Sequence, residues 1–258
     1  LFVSIDNKID YNKKQLEEGK SLLNEVDKLD KDVQNYLLTI SQINNLKDLV
    51  SNLPKHPGVL GRQRLFNSAV LIPLVKIKGE YHLLFQKRAA HIRQGGDICF
   101  PGGGFEKGVD KDYKDTALRE TKEELGIDAK DIKVLGQLDT YIAPIGTVIE
   151  SFVARIKKKA YKNMKIDENE VEKTIVIPIS FFKDNEPEEY TLSHEIQPYK
   201  YNKDGQKEIL FPVEELGLPA AYKKPWGNKQ HKIWVYKYDG EVIWGITSVL
   251  IRDVIERY

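Results

Sequence analysis

Ala117-Leu118-Arg119-Glu120-Thr121-Lys122-Glu123-Glu124-Leu125-Gly126-Ile127 is the stretch from which the rest of the chain can be read. At about 100° per residue on a helix, Glu120, Glu123 and Glu124 share one face while Leu118, Thr121 and Leu125 share another. The segment is therefore acidic on one side and packs with the other, and Gly126 is a natural stop for such a helix. Like charges four residues apart cost only a few tenths of a kcal/mol on an exposed helix, so a solvated acidic face would by itself explain the cluster. The loop upstream, Pro101-Gly102-Gly103-Gly104, shifts the balance. Residues without a Cβ let backbone N–H and C=O groups come close to a phosphate and its metal.

Together the loop and helix resemble the Nudix hydrolase signature, G-x5-E-x7-R-E-U-x-E-E-x-G-U, in which U is a bulky aliphatic residue. Arg119, Glu120, Glu123, Glu124, Gly126 and Ile127 match its second half, and Thr121 takes a position usually aliphatic. The first half departs: Lys111 stands where the early glutamate belongs, and the loop from Gly103 is two residues longer than the pattern. Glu106, Asp110 or Asp112 could substitute.

The resemblance implies an α+β Nudix fold, a mixed β-sheet core sandwiched by helices. It also implies that Glu120, Glu123 and Glu124 hold Mg²⁺ or Mn²⁺, with the Gly102 carbonyl as an additional ligand. Hard oxygen donors suit those ions. Arg119 would orient the carboxylates by a salt bridge, and the alternative for it is an exposed ion pair of little energetic value. With the helix acids on metal, the base that takes a proton from the attacking water would come from another segment. Glu170 is the first choice, and Glu168 and Glu150 are the alternatives.

A second resemblance, to the coenzyme A pyrophosphatase branch of the same family, lies just upstream. Its pattern L-L-T-x-R-[SA]-x3-R-x3-G-x3-F-P-G-G is met by Arg88, Ala89, Arg93, Gly96 and Phe100-Pro101-Gly102-Gly103. Its opening reads Leu84-Phe85-Gln86 here, and only two residues separate Arg93 from Gly96. Gly136-Gln137-Leu138-Asp139-Thr140, Asn169-Glu170-Val171 and Ile243-Trp244-Gly245-Ile246-Thr247 also resemble segments of that branch. Coenzyme A carries a diphosphate and a 3′-phosphate, and arginine offers planar bidentate geometry to such groups. Arg88 and Arg93, with the backbone of Gly102 and Gly103, are the candidate substrate contacts.

The activity so implied is hydrolysis of coenzyme A or its thioesters to 3′,5′-ADP and 4′-phosphopantetheine. One alternative is a Nudix pyrophosphatase acting on ADP-ribose, a dinucleotide cofactor or a dinucleoside polyphosphate. Another is a non-catalytic Nudix-fold module that binds a nucleotide or a protein.

Composition narrows the partners. The 258 residues carry 40 Lys and Arg against 39 Asp and Glu, so no overall field draws the chain to nucleic acid or to an anionic membrane. The lone cysteine, Cys99, excludes an intramolecular disulfide framework and reads as a small buried strand residue. His82 and His91 lack paired metal spacing, and Phe100 and Trp244 read as core aromatics. No apolar run reaches the roughly 20 residues that span a bilayer, and the polar beginning gives no signal segment, so a cytoplasmic protein is expected. The first residue is Leu1 rather than methionine.

Leu22, Val26, Leu29, Val33, Leu37 and Ile40 form an apolar seam at three- and four-residue steps. It reads first as a helix packed on its own domain and second as a coiled coil that would make a homodimer. Residues 1–60 are thus expected to be an N-terminal helical extension and 61–258 the hydrolase domain. Within the latter, Ser68 to Ile77 and Tyr81 to Arg88 read as strands turned at Lys78-Gly79, followed by a helix from about Asp112 to Leu125. Ile132 to Ile142, Thr147 to Ile156 and Ile175 to Ile179 read as strands. Ile233 to Tyr238 turns at Asp239-Gly240 into Val242 to Gly245, and Thr247 to Arg257 reads as a terminal helix. Asp184 to Lys232, polar and rich in proline, is expected to hold loops with short strands.

Overall fold

The structure, a computed structural model, describes residues 14–20, 46–55 and 58–258. Residues 14–20 and 46–52 are helical; the apolar seam from Leu22 to Ile40 lies outside the described residues. The chain divides into two compact units, Leu1–Leu60 and Gly61–Tyr258.

In the second unit the central strand is β1 (Phe66–Ile77). Ala69, Leu71, Ile72 and Val75 are buried on both of its faces, the pattern of a strand covered on two sides. It runs parallel to β7 (Thr147–Ile156) and antiparallel to β2 (Glu80–Arg88), with Leu74 opposite Leu83. Lys78 and Gly79, with φ of 49° and 96°, form the two-residue turn whose left-handed pair matches hairpin twist. β4 (Gly102–Gly104) pairs with β1 through Val70 and β2 pairs from Leu74, so Pro73 falls between two partners on that edge. A residue with no N–H belongs at such a gap.

β3 (Ile98–Cys99) and β8 (Val171–Pro178) join β2, while β5 (Ile132–Gln137) and β6 (Tyr141–Ala143) join β7. The result is an eight-stranded mixed sheet, antiparallel except between β1 and β7. On one face Ala69, Leu71, Val75 and Leu84 pack against Ala117 and Leu125 of α1 (Tyr113–Leu125). On the other, Ile72, Leu83 and Phe85 pack against Phe182 of α3 (Ile179–Asp184) and Leu250, Ile251 and Val254 of α4 (Gly245–Arg257). A short α2 (Lys158–Lys162) follows β7. This is the α+β arrangement of a mixed sheet between helices.

Two expectations need correction. Ile132 to Ile142 is two strands, because the register shifts between Val134 and Gly136 and the pairing with β7 stops before Tyr141 restarts it. The region from Asp184 to Lys232 is not confined to loops with short strands: β9 (Glu188–Ile196) pairs along β12 (Trp226–Tyr238). Its prolines do not interrupt these strands. Pro187 and Pro225 immediately precede them, while Pro198, Pro212 and Pro219 lie between, where β10 (Tyr199–Tyr201) and β11 (Lys207–Ile209) make a short hairpin. β12 then turns at Asp239-Gly240 into β13 (Glu241–Ile243).

Candidate active site

The acidic helix is fixed at both ends by its own sequence. Asp112 accepts the Asp115 N–H at 2.8 Å as N-cap, and Gly126, at φ 66°, returns its N–H to the Lys122 carbonyl. A Cβ at Gly126 would fall 2.6 Å from the Lys165 carbonyl oxygen, so the stop also lets the next segment pass close by. Thr121, where the signature has an aliphatic residue, is fully buried, and its hydroxyl is satisfied by the Ala117 carbonyl at 2.6 Å.

The three glutamates differ in setting. Glu124 is 2% exposed and accepts the Gly102 N–H at 2.9 Å; burial pushes its carboxyl up to about 7. Glu120 lies so close to Gly103 that a Cβ there would stand 2.3 Å from its Oε1, and burial raises its carboxyl too. Glu123 sits at the exposed rim. Arg119 joins the set, donating to Glu120 at 2.8 Å, to Glu123 at 2.9 Å and to the Gly104 carbonyl at 3.1 Å.

Arg119 is itself anchored by buried Asp110, which accepts from its Nε at 2.9 Å and its Nη2 at 3.1 Å. Asp110 also accepts the Thr116 hydroxyl and the Glu106 N–H, both at 2.9 Å. The guanidinium holds its carboxyl at about 2, below the usual carboxylate range. Of the three acids that could stand for the absent early glutamate, Asp110 is the one bonded to Arg119; Asp112 caps the helix instead.

β2 supplies the floor. Alternation along the strand turns Leu84, Gln86 and Arg88 toward α1 and Phe85 toward the opposite core, where it stacks on Phe100 at 4.7 Å. Arg88 stands near enough to Glu124 for its charge to favour the carboxylate, and its Nε donates to the Arg93 carbonyl at 3.2 Å. The Arg93 side chain is exposed. Gln86 is fully buried, its amide beside Glu124 and Cys99 but with neither end in a well-aligned hydrogen bond. Sequence reading did not select it; its only signal was the departure from Thr in the upstream motif.

Glu170 is exposed, and its charge reaches Glu120; its carbonyl accepts the Ala89 N–H at 2.9 Å, which ties its loop to the end of β2. Glu168 is exposed. Glu150 is 3% exposed and already held by Arg62 at 2.6 Å, Gln137 at 2.7 Å and Thr140 at 2.9 Å, a setting that orders the start of the unit. Cys99 is driven up to about 11 by burial, which leaves it a thiol and not a nucleophilic thiolate. Phe100 is core, but Trp244 is not: it is 47% exposed and its indole N–H donates to Asp97 at 3.3 Å, because it caps α4 at the sheet edge.

Among the described residues no three His, Cys, Asp or Glu side chains stand gathered as a metal site. Arg119 draws Glu120 and Glu123 to itself, and Gly102 takes Glu124. The donor chemistry fits a hard divalent cation. Two acids of raised pKa lie side by side against a glycine backbone too close for any Cβ, where a cation would favour the ionised forms that burial opposes. No helix among the described residues is long and apolar enough to cross a membrane.

The NUDIX domain family matches residues 65–231. Nudix hydrolase 3 of Caenorhabditis elegans is 36% identical over 219 residues, 81% of this chain and 81% of that protein. The mitochondrial coenzyme A diphosphatase of Homo sapiens is 30% identical over 132 residues, 50% of this chain and 56% of that one. The peroxisomal coenzyme A diphosphatase of Mus musculus is 30% identical over 115 residues, 44% and 48% respectively, so the matched part is about half the length of these two relatives. A solved structure of a C. elegans Ap4A hydrolase binary complex aligns with a TM-score of 0.38 at 18% identity, over 44% of this chain and 80% of that one. With a domain match over more than half its length and a relative aligned across four fifths of both chains, this protein belongs to the Nudix hydrolase family and is a pyrophosphohydrolase.

Proposed function

We propose that the enzyme hydrolyses the diphosphate of coenzyme A or its thioesters to 3′,5′-ADP and 4′-phosphopantetheine. The supporting observation is the adjacency of Arg88 to Glu124: a cation carried by the coenzyme A-type segment lies beside an acid carried by the general signature. Relatives named as coenzyme A diphosphatases support the same reading.

In this reading Glu120, Glu123 and Glu124 hold Mg²⁺ or Mn²⁺, together with the Gly102 carbonyl. When bound, the ion neutralises phosphate oxygens and makes a coordinated water a better nucleophile. Arg119 keeps Glu120 and Glu123 aligned. Arg88 and Arg93 take phosphate oxygens as planar donors, and the backbone of Gly102 and Gly103 lines the diphosphate. Glu170, near Glu120 but outside the helix, accepts the proton of the attacking water. We also propose that residues 1–60 are an extension to a hydrolase domain of residues 61–258.

The test is hydrolysis of coenzyme A, acetyl-coenzyme A, dephospho-coenzyme A, ADP-ribose and NADH side by side, with products resolved by chromatography. We expect coenzyme A to be cut to the two named products with kcat/KM at least about tenfold above dephospho-coenzyme A, the worth of one good phosphate contact. Equal rates with and without the 3′-phosphate would replace this substrate by nucleotide diphosphates in general.

A further inference from the structure

We infer that Gln86 is a positioning residue for Glu124, its carboxamide holding the carboxylate oxygen that Gly102 leaves free. The inference rests on the reading of Glu124 as a metal-holding acid.

Gln86 is 0% exposed, yet neither its Nε2 nor its Oε1 has a well-aligned hydrogen-bond partner among the described residues. A buried amide with two unmatched groups is destabilising, and most buried polar side chains avoid this state. An apolar side chain of the same length would sit in the site at lower cost, so fold stability does not account for an amide there.

The neighbours show what the amide can serve. Gln86 pairs with Cys99 across β3 and with Thr174 across β8, and lies between Leu84 and Arg88 on the face turned to α1. Glu124 is the acid buried on that side of the helix. One of its oxygens, Oε2, is taken by the Gly102 N–H. The Gln86 amide lies close enough to favour the charged carboxylate.

An amide has a donor end and an acceptor end related by a half-turn, and a rotation can present Nε2–H to the free oxygen of Glu124. The carboxylate is then gripped from two sides, by the Gly102 backbone and by Gln86. A buried carboxylate so fixed is pre-set to face a cation, in the way outer residues orient metal ligands elsewhere. The same place in the resembled motif has Thr, whose shorter side chain cannot extend as far as the amide of Gln86.

The experiment measures Mn²⁺ affinity by calorimetry, melting of the metal-free protein, and steady-state kinetics for Gln86→Met, Gln86→Asn and Glu124→Gln in the full chain. For Gln86→Met, close in length but without the amide, we expect Mn²⁺ affinity to weaken about tenfold and kcat to fall while the substrate KM holds. Metal-free melting should stay near the parental value, since Met fills the same volume and the Gly102 N–H still holds Glu124. Replacing a side chain that merely fills space would not lower metal affinity while leaving stability unchanged. Gln86→Asn keeps an amide that is too short, so it should lose Mn²⁺ affinity as well; it also decides the matter if the Met variant does not fold. Parental Mn²⁺ affinity and kcat in either folded Gln86 variant would overturn the inference. Glu124→Gln separates the two levels: if it binds Mn²⁺ like the parent, the reading of the site itself fails, whereas loss there with no loss at Gln86 removes only the role of the amide.

Discussion

Arg119 does not hold itself. Asp110 fixes it by two hydrogen bonds, and that acid's carboxyl sits at about 2 against a usual 3.8. Because the folded value is the lower one, the stabilisation is complete above about pH 4 and is lost as pH falls from 3.8 toward about 2. At about 1.4 kcal/mol per unit this amounts to about 2 kcal/mol. Asp110→Asn should therefore lower the urea-unfolding free energy by about 2 kcal/mol near neutral pH, with the difference from the parent shrinking near pH 2; a difference that grows on acidification would refute the assignment. On the helix itself, Glu123→Gln and Glu124→Gln should each reduce kcat roughly a hundredfold or more while melting stays near the parental value. Full turnover in both would remove the metal assignment. At this scale the shared face of the late glutamates was readable from helical spacing, and Arg119 from the family resemblance. The partner of Arg119 was not, since the lengthened loop left three acids eligible. The choice falls to the turn in which the Asp110 N–H returns to the Glu106 carbonyl. Gln86 was illegible for a different reason: a strand glutamine reveals its burial only once the helix covers it.

The glycine segment makes contrasting demands along its length. At Gly102, φ is +155° and an added Cβ would fall 2.3 Å from the Ala69 carbonyl oxygen, so Gly102→Ala should disturb the β1–β4 pairing and lower stability by about 2 kcal/mol or more. At Gly103 an added Cβ would meet the Glu120 carboxylate, the movable end of a side chain. Gly103→Ala should therefore lose turnover far more than melting temperature. Circular-dichroism melts beside steady-state rates check both, and equal losses of activity and stability at the two positions would contradict this division. Glycine-rich composition announced a loop near phosphate but not a strand, because the pairing with β1 depends on a partner more than thirty residues upstream. Hairpins were easier to read. Lys78-Gly79 and Asp239-Gly240 carry their left-handed geometry in two adjacent residues. The β9–β12 ribbon was hidden because prolines flanking two strands look, in composition, like prolines dispersed through a loop.

For the molecule as a whole, the helix-sandwiched sheet followed from the family resemblance, and no local pattern encodes the parallel contact of β1 with β7 across some eighty residues. The core of residues 61–258 has apolar clusters on both faces of its sheet. A chain of residues 61–258 alone should unfold cooperatively and retain metal-dependent hydrolysis; loss of both would assign residues 1–60 a part in the fold. The central claim is that a divalent cation sits among the α1 carboxylates beside the glycine backbone, where Arg119 and Gly102 bond those acids. Anomalous diffraction from crystals soaked in Mn²⁺, collected at the manganese edge, tests it most directly. We expect a peak bounded by Glu120, Glu123, Glu124 and the Gly102–Gly103 backbone; density confined to any other place, with these four left bare, would contradict it.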